Sequence, residues 1–390
     1  MPDVATPDGE NRRYLDAASG LPPSPATRTA LANASATAWA DPSRRYPQAD
    51  VARRLLAHAR TAVAGVLACR PTEIAFTSSA EAALAAGLQG CLASRRSGSQ
   101  RRGVVVSAVE DLGLLRCVDR MEAQGIPVTV VPCDRAGLID PDRFIAAVDA
   151  SDAAAACLQM ANGEVGTLQP IGPVSQALDA VGVPLISDAR HVVGRSEISG
   201  GWHVLAAEAR YWGGPPGVGI LAVRSGVGFA ATPDNGPLGV EGVAPPVPAI
   251  AAAALALEQA AATVSETART CGELTLLLRE RLVASIPNCE ALGSPDQRLG
   301  HILMVTFLYV AADQLVDELA GLGWAVSSGA SCVSDTRRPH HVLAAMGVSS
   351  HGSLRVSLQP TAKSADIDEF ARDLTIAVTR LREQAGVSDL

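Results

Sequence analysis

The chain has 390 residues, of which 48% are apolar and 18% charged, with 35 Gly and 25 Pro spread along its length. This composition excludes a disordered, collagen-like or coiled-coil protein and fits one large α/β unit with a smaller one appended. The net charge of −8, with arginines scattered in ones and twos, argues against direct binding of nucleic acid.

Lysine is almost absent from the chain. Among its 32 basic Lys and Arg residues, Lys363 is the only lysine. Chemistry that needs an amine side chain, such as a lysine Schiff base, must therefore use Lys363 or not occur.

The eight cysteines contain no CxxC pair, and no cluster has the spacing of a metal site, so no metal is predicted. Their apolar or helical surroundings are typical of reduced, buried thiols and predict a cytoplasmic protein. We expect neither a signal peptide nor a membrane span, because the first thirty residues lack an apolar segment. The six cysteines in such surroundings are Cys69, Cys91, Cys117, Cys133, Cys157 and Cys271.

Short β-branched runs alternate with longer segments of helical period in the first part of the chain. This alternation is typical of βαβ units around a mostly parallel sheet. The predicted strands are Glu73–Phe76, Val104–Ser107, Pro127–Val131, Ala154–Gln159, Pro184–Ser187 and Gly219–Val223. The predicted helices are Asp50–Ala68, Ala80–Leu92, Leu112–Gln124, Pro141–Val148 and Pro173–Val181.

The pattern changes after the Gly- and Pro-rich segment Ser225–Pro248, which precedes one long predicted helix, Ala249–Ser285. Strands and helices of a smaller α+β unit follow. We therefore predict a large α/β domain over residues 14–248, a connecting helix over 249–285 and a small C-terminal domain over 286–390. Residues 1–30 are expected to contribute in part to the small domain. The later predicted elements are His301–Leu308, Ala311–Leu322, Trp324–Ser327, Arg338–Met346, Ser353–Ser357 and Ala365–Glu383.

Six short motifs occur in a fixed order along the chain. They are Tyr14–Ala18, Glu73–Ser78, Asn162–Gly166, Asp188–His191, Gly214–Gly219 and Ser327–Cys332. In this order the chain resembles the cysteine desulfurases of the class V aminotransferase group, fold-type I enzymes that use pyridoxal phosphate. The resemblance implies a large domain with a mostly parallel seven-stranded sheet, a small C-terminal domain and a dimer. It also implies removal of sulfur from cysteine, leaving alanine and a persulfide on a loop cysteine, which is Cys332 here.

Several positions that hold the cofactor in the family differ in this chain. Tyr211 aligns with the lysine, Asp111 with the histidine that stacks on the ring, and Glu81 lies in the turn that binds the phosphate. Gly163 replaces an asparagine, so that only the neighbouring Asn162 remains as a polar contact. A carboxylate where a phosphate should lie is unfavourable, and Tyr211 cannot form a Schiff base. We expect no cofactor, with non-covalent binding of pyridoxal or pyridoxamine phosphate as the alternative.

Other family positions are kept. Asp188 matches the aspartate that binds the pyridine nitrogen and is interpreted as a vestige; alternatively, it caps a helix or pairs with Arg190 or Arg210. His191, three residues on, replaces a glutamine and is a candidate catalytic residue. Arg355 matches the arginine that holds the substrate carboxylate, for which a planar guanidinium is well suited.

Cys332 lies in a polar segment next to Arg337 and Arg338 and close to the pair His340 and His341, which favour its thiolate. Alternatively, Cys332 is an inherited remnant and Arg355 is a structural ion-pair partner.

Three hypotheses follow for function, and the sequence leaves open whether the chain is an enzyme. The preferred one is a desulfurase-like protein that has lost the cofactor and acts in sulfur handling through Cys332, as persulfide acceptor, relay or partner subunit. Its partners would be a second subunit and a protein that donates or accepts sulfur. The second is an enzyme with a repurposed site around Tyr211 that works without a cofactor or with pyridoxamine phosphate. If active, it would be a cysteine desulfurase or sulfurtransferase-type enzyme or a repurposed lyase. The third is a non-catalytic scaffold.

Overall fold

Two β-sheets organise the chain in a computed structural model, which describes residues 13–94, 101–198, 201–230, 236–241, 245–329 and 340–387. The larger sheet has seven strands in the order β1-β7-β6-β5-β4-β2-β3, and the smaller has three in the order β10-β9-β8. Strand β7 is antiparallel to both of its neighbours, while the other neighbouring pairs of the large sheet are parallel. The predicted fold class, an α/β domain with a mostly parallel seven-stranded sheet and a smaller C-terminal domain, is confirmed.

The strands of the large sheet are β1 (Ile74–Thr77), β2 (Gly103–Ser107), β3 (Val128–Val131), β4 (Ala153–Cys157), β5 (Leu185–Asp188), β6 (Val204–Glu208) and β7 (Gly219–Val223). Those of the small sheet are β8 (Cys289–Leu292), β9 (Ile302–Phe307) and β10 (Leu354–Ser357). The helices are α1 (Pro25–Thr37), α2 (Pro47–Val66), α3 (Ala80–Ala93), α4 (Leu112–Ala123), α5 (Pro141–Ala150), α6 (Ile171–Val181), α7 (Val247–Ala262), α8 (Val264–Ser285), α9 (Ala312–Gly321), α10 (His341–Ala345) and α11 (Ser364–Gln384).

Small residues let helices pack closely on the large sheet. A Cβ atom added to Gly87 of α3 would lie 2.9 Å from Cγ1 of Val204 on β6. Every residue of β6 is buried, as expected for a central strand covered on both faces. Strand β6 was not among the predicted strands, because its run of Val, Leu, Ala, Ala and Glu has only one β-branched residue.

The predicted single helix over 249–285 is two helices that are bent by 68° at Thr263. Helix α7 buries Ile250 and Leu257 in the core of the large domain, whereas α8 buries Leu278 and Leu282 in the core of the small domain. The chain bends because each helix must direct its apolar face towards a different core.

The N-terminal segment lies against the small domain. Tyr14 forms a β-bridge with Ala325, and Asp16 forms one with Ser357 at the end of β10. These bridges bring the motif around Asp16 to the edge strand β10 of the small sheet.

Within the described residues no single helix is long and apolar enough to cross a membrane. Helices α7 and α8 meet that criterion only when they are taken together.

Candidate functional site

Arg190 lies at the centre of a cluster of carboxylates beyond the carboxyl end of β5. Its Nε atom is 2.8 Å from Oδ2 of Asp188, and its Nη1 atom is 2.8 Å from Oε1 of Glu81 and 3.3 Å from Oδ2 of Asp111. The arginine side chain is only 3% exposed. One guanidinium is therefore shared by three carboxylates that come from three separate segments of the chain.

Two of these carboxylates lie at helix N-termini. Asp111 caps α4 by accepting a hydrogen bond of 2.7 Å from the backbone N–H of Gly113, and Glu81 lies in the first turn of α3. Positive helix ends and Arg190 both stabilise the anions. Burial raises the pKa of Glu81, but Arg190 and hydrogen bonds outweigh it and lower that pKa overall.

Asp188 responds differently because it is buried more deeply. Burial raises the pKa of its carboxyl, and repulsion by Asp111 adds to the increase, so that Arg190 only partly offsets it. Burial would lower the pKa of Arg190 itself, but Asp188 and Asp111 raise it well above the ordinary value. Arg190 stays charged, and the anions compete for it.

Tyr211, which was predicted at the family's lysine position, lies in the short helical turn Ala209–Trp212 that follows β6. Its hydroxyl oxygen accepts a hydrogen bond of 3.1 Å from Nη2 of Arg210, whose Nε atom is 2.8 Å from Oε1 of Glu208. Burial raises the pKa of the Tyr211 hydroxyl. The tyrosine is therefore a neutral, buried group.

His191 packs edge-on against Tyr211, with the ring centroids 4.8 Å apart. The imidazole also lies against Gly163, where an added Cβ atom would be 2.1 Å from Nε2 of His191. Burial and the charge of Arg190 lower the pKa of His191 well below its ordinary value, so the ring is neutral. The histidine thus takes the space that a side chain at position 163 would need.

Asn162 shapes the adjacent loop. Its side-chain oxygen accepts hydrogen bonds from the backbone N–H groups of Glu164 and Val165, at 2.9 and 3.0 Å, and its Nδ2 atom donates to the carbonyl of Val109. The predicted binding residue therefore has its polar atoms engaged in holding a turn.

Arg355 on β10 is bound on several sides. Its Nη2 atom is 3.0 Å from Oδ1 of Asp16 and 2.8 Å from Oγ of Ser19, and its Nη1 atom is 3.1 Å from Oε1 of Glu164. It also donates to the carbonyl of Gly163. Burial would raise the pKa of Glu164, but Arg355 and His340 lower it to about 2. The structure thus places Arg355 in ion pairs, which was the alternative to a substrate-binding role.

Glu110 was not predicted as a site residue, although it follows β2 and directly precedes Asp111. Its Oε1 atom accepts hydrogen bonds from Oγ of Ser107 at 2.5 Å and from the backbone N–H of Gln159 at 2.9 Å. Its Oε2 atom has no hydrogen-bond partner among the described residues. Burial raises the pKa of this carboxyl to about 8. The pair of acids immediately after a strand was the signal that could have identified it.

A small cavity of about 80 Å³ lies between these groups. Its polar lining residues are Glu110, Asp111, Gln159, Asn162, Glu164, Asp188, Arg190, His191 and His341. The structure therefore brings four of the predicted site residues, Asp111, Asn162, Asp188 and His191, to one cavity, whereas Tyr211, Glu81 and Arg355 do not line it. Cys332, Arg337 and Arg338 lie outside the described residues.

The described residues on either side of the segment that contains Cys332 lie next to Glu164, which lines this cavity. An added Cβ atom on Gly329 would be 2.5 Å from Nε2 of His340 and 2.8 Å from Oε2 of Glu164. Residues 329 and 340 are therefore neighbours, next to a glutamate that lines the cavity.

The cysteines in the described part of the chain are free, and four of the six that were predicted as buried are buried; Cys69 and Cys133 are partly exposed.

Comparison with known proteins identifies relatives over nearly the whole chain. The family model described as aminotransferase class-V matches residues 13–370. The chain is 31% identical over 384 residues to an IscS-like cysteine desulfurase of Mycobacterium tuberculosis, with 95% of this chain and 98% of the relative covered. It is 29% identical over 365 residues to the cysteine desulfurase IscS of Methanosarcina thermophila, covering 90% and 88% of the two chains. A solved structure of a NifS-like protein superimposes with a TM-score of 0.86 at 24% identity, over 95% of this chain and all of the other.

Proposed function

The chain belongs to the aminotransferase class-V family, and we propose that it works in sulfur handling through Cys332 without pyridoxal phosphate. The observation that carries the proposal is the binding of Arg190 by Glu81, Asp111 and Asp188. The resemblance aligns these three carboxylates with the contacts to the phosphate, the ring face and the pyridine nitrogen of the cofactor. In this chain the same three positions are directed to a side chain of the protein.

The residues around the cavity do not fit pyridoxal phosphate. A phosphate dianion would meet Glu81, and a ring would have to displace Arg190 from Asp188, although separating a buried ion pair costs about 3–5 kcal/mol. Tyr211 offers a hydroxyl in place of an amine, and Lys363 lies exposed at the start of α11 in the small domain. We derive no step of a mechanism through the cofactor.

The cofactor part of the proposal is tested by absorption spectroscopy. The purified full chain is mixed with pyridoxal phosphate or pyridoxamine phosphate, dialysed and scanned, with an active cysteine desulfurase treated in parallel. We expect no retained near-ultraviolet or violet band in this chain and a strong one in the control enzyme. A retained band would overturn the proposal and favour the non-covalent coenzyme alternative.

The sulfur part of the proposal depends on the position of Cys332 in the chain. Both ends of its segment, Gly329 and His340, lie beside Glu164 at the cavity. The transfer we propose conserves atoms and electrons. The Cys332 thiolate attacks the outer sulfur of a donor persulfide, the S–S bond of the donor breaks, the donor leaves as a thiolate, and a persulfide forms on Cys332.

Mass spectrometry tests this transfer. The chain is incubated with a small-molecule persulfide, and we expect a gain of one sulfur atom at Cys332 that Cys332→Ser abolishes. Cys289→Ser is the matched control in the same domain, because burial raises the pKa of the Cys289 thiol to about 11 and makes it a poor nucleophile. No adduct at Cys332, or equal labelling of Cys289, would contradict the proposal.

A dimer, a sulfur-donating or sulfur-accepting protein and a cytoplasmic location belong to the same proposal. Trp39 and Tyr46, between α1 and α2, are 68% and 43% exposed, and aromatic residues of this kind are enriched at protein interfaces. Light scattering on the full chain, compared with a Trp39→Ser, Tyr46→Ser variant, tests the dimer. A monomer of the unaltered chain would contradict it.

One observation favours a second candidate, an enzyme that works without a cofactor. Glu110 is a buried carboxyl with a raised pKa of about 8 in a polar cavity, a combination found in general acids and bases. The variant Glu110→Gln separates the candidates: unchanged persulfide transfer to Cys332 supports the sulfur proposal alone, whereas loss of a turnover that the unaltered chain performs supports the enzyme.

A further inference from the structure

The charges around Arg190 do not balance. Three carboxylates, those of Glu81, Asp111 and Asp188, share the single guanidinium, which leaves an excess of two negative charges within the described part of this cluster. The N-termini of α3 and α4 supply partial positive charges of roughly 0.5 each, which compensate for only part of this excess. Burial is the main cause that raises the pKa of Asp188, and repulsion by Asp111 adds to the increase.

The cavity beside this cluster contains two acceptor atoms without partners in the described chain, and one lining donor, Nη2 of Arg190, is also unpartnered there. Oε2 of Glu110 has no hydrogen-bond partner among the described residues, and the Glu110 side chain is 1% exposed. The Nε2 atom of His341 lies 2.9 Å from the carbonyl oxygen of Glu110, and burial lowers the pKa of this histidine. A neutral imidazole that donates from Nε2 has a lone pair on Nδ1, and Nδ1 of His341 is also without a partner in the described chain.

Other groups at the cavity do not supply the missing positive charge. His191 is neutral, since burial and Arg190 lower its pKa. Arg355 donates to Asp16, Glu164, Ser19 and the carbonyl of Gly163, so its charge is directed away from Glu110. The described residues contain no group of three or more His, Cys, Asp or Glu side chains arranged to hold a metal ion.

We propose that this cavity binds a primary ammonium group, held by Glu110, Asp111 and His341, on a ligand that carries no carboxylate beside the amine. An ammonium group has three N–H donors and one positive charge, which match Oε2 of the ionised Glu110 carboxylate, Nδ1 of His341 and an excess of anions. A neighbouring carboxylate is disfavoured because Arg355 is already bound to two carboxylates. The cavity of about 80 Å³ admits the ammonium end of such a ligand.

This inference rests on the first half of the proposed function, because the ligand would use the space beside the aligned cofactor position. It goes beyond that function because it assigns the cavity a preference for cations instead of anions. A site for an amino acid and a phosphorylated cofactor must attract anions, whereas this cavity attracts a cation. The ligand would be an amine-bearing substrate or effector of the sulfur step.

Glu110 makes the binding of a cation measurable as the release of a proton. The neutral form of its carboxyl is favoured by burial, with smaller contributions from Asp188 and Asp111, and its pKa is about 8. Buried Cys157 also interacts with Glu110, and the pKa of the Cys157 thiol is raised by burial, so it stays neutral. An ammonium group next to Oε2 stabilises the ionised carboxylate, so the proton leaves as the cation binds.

The experiment uses the full chain and methylammonium chloride as the probe. Thermal unfolding is measured in methylammonium, potassium and tetramethylammonium chlorides at equal ionic strength, because the last two cations have no N–H donors. We expect a saturable increase in Tm in methylammonium alone, with release of close to one proton per bound cation at neutral pH.

Variants complete the test. Glu110→Gln should weaken methylammonium binding on the order of tenfold to a hundredfold and abolish proton release, while Glu290→Gln, on an exposed glutamate of the small domain, should change neither. Asp111→Asn provides a second variant, with a several-fold loss, in case Glu110→Gln does not fold.

Equal Tm shifts in the three salts are expected if only water fills the cavity, and they would overturn the inference. Undiminished methylammonium binding by both cavity variants would overturn it too. The cofactor titration is done first. A bound pyridoxal phosphate would contradict the proposed function, whereas an absence of both cofactor and ammonium binding would contradict only this inference.

Discussion

Arg190 and Arg355 are both almost fully buried, at 3% and 6% exposure, and each is outnumbered by carboxylates, three around Arg190 and two around Arg355. Arg355 connects three parts of the chain, since it joins β10 to Asp16 of the N-terminal segment and to Glu164 of the large domain. Neutral acceptors, Ser19 and the carbonyl of Gly163, also accept hydrogen bonds from it. Arg190 instead faces three carboxylates and a cavity that contains an unpartnered carboxyl oxygen.

The two clusters differ in what their arginines join. Around Arg355 the two Nη atoms bind groups from the N-terminal segment and from the large domain, so the cluster connects the two domains, although its Nε atom has no hydrogen-bond partner among the described residues. Around Arg190 three carboxylates exceed one guanidinium. A positively charged ligand would therefore gain electrostatic attraction from carboxylates whose charge the protein does not neutralise. The following experiments probe the two clusters, in order of decreasing expected effect.

Removing the central cation should have the largest effect. Arg190→Met leaves three carboxylates without their shared partner, and we expect a loss of about 3–5 kcal/mol in the free energy of unfolding. Urea denaturation measures it. Arg135→Met removes an exposed pair with Glu290 and should cost less than about 1 kcal/mol. Equal costs for the two variants would mean that the Arg190 cluster contributes no more than a surface ion pair.

Because of Glu110, next to the Arg190 cluster, the free energy of unfolding should fall as the pH rises. Its pKa is raised from 4.5 to about 8 in the folded chain. The stabilising contribution of the neutral form is therefore complete below the unfolded pKa and is lost as the pH rises through about 8, by roughly 3–5 kcal/mol. Glu110→Gln should remove this decline in a series of urea denaturations at increasing pH. A decline that persists in the variant would assign it to other groups.

Glu164 should give the opposite dependence on the Arg355 side. Its pKa is lowered from 4.5 to about 2 by Arg355 and His340, which outweigh burial. The contribution of its carboxylate is complete above the unfolded pKa and is lost as the pH falls from about 4.5 towards 2, by roughly 3 kcal/mol. Acid titrations followed by circular dichroism should show a shallower loss for Glu164→Gln. An identical acid transition in the variant and the unaltered chain would disagree with this assignment.

A substitution between the two clusters should have the smallest effect. A Cβ atom on Gly163 would be 2.1 Å from Nε2 of His191, so Gly163→Ala should cost about 1–3 kcal/mol through overpacking. His191→Ala in the same chain removes the clash, and the double variant should regain stability relative to the sum of the single changes. Strict additivity in thermal unfolding would show that the two residues do not compete for this space.

The sequence predicted the architecture better than the site. Alternating β-branched and helical segments identified most strands of the large sheet. They missed β6, whose alanines form a central strand only because α3 and the neighbouring strands bury them. The bend at Thr263 was also missed, since it depends on which core each half of the segment faces.

The sequence predicted the site residues by aligning them with the family's positions, but it could not predict which side chains they contact. Asp188 pairs with Arg190, which was one of the alternatives considered for it, but the additional pairing of Arg190 with Glu81 joins residues 109 positions apart. Glu110 was not predicted because the sequence shows two acids after a strand but does not show how deeply each is buried. The predicted roles of Cys332, Tyr211 and His191 stay predictions for the experiments above.

By itself, the sequence determined that the chain has one lysine, Lys363, because amino-acid identity is a property of the chain alone, and it predicts Tyr211 at the family's lysine position. The tertiary structure decided that Arg190 is shared by three carboxylates and that Glu110 is buried with a free oxygen. Ion pairing and desolvation depend on distances between residues far apart in the chain, and only folding sets those distances.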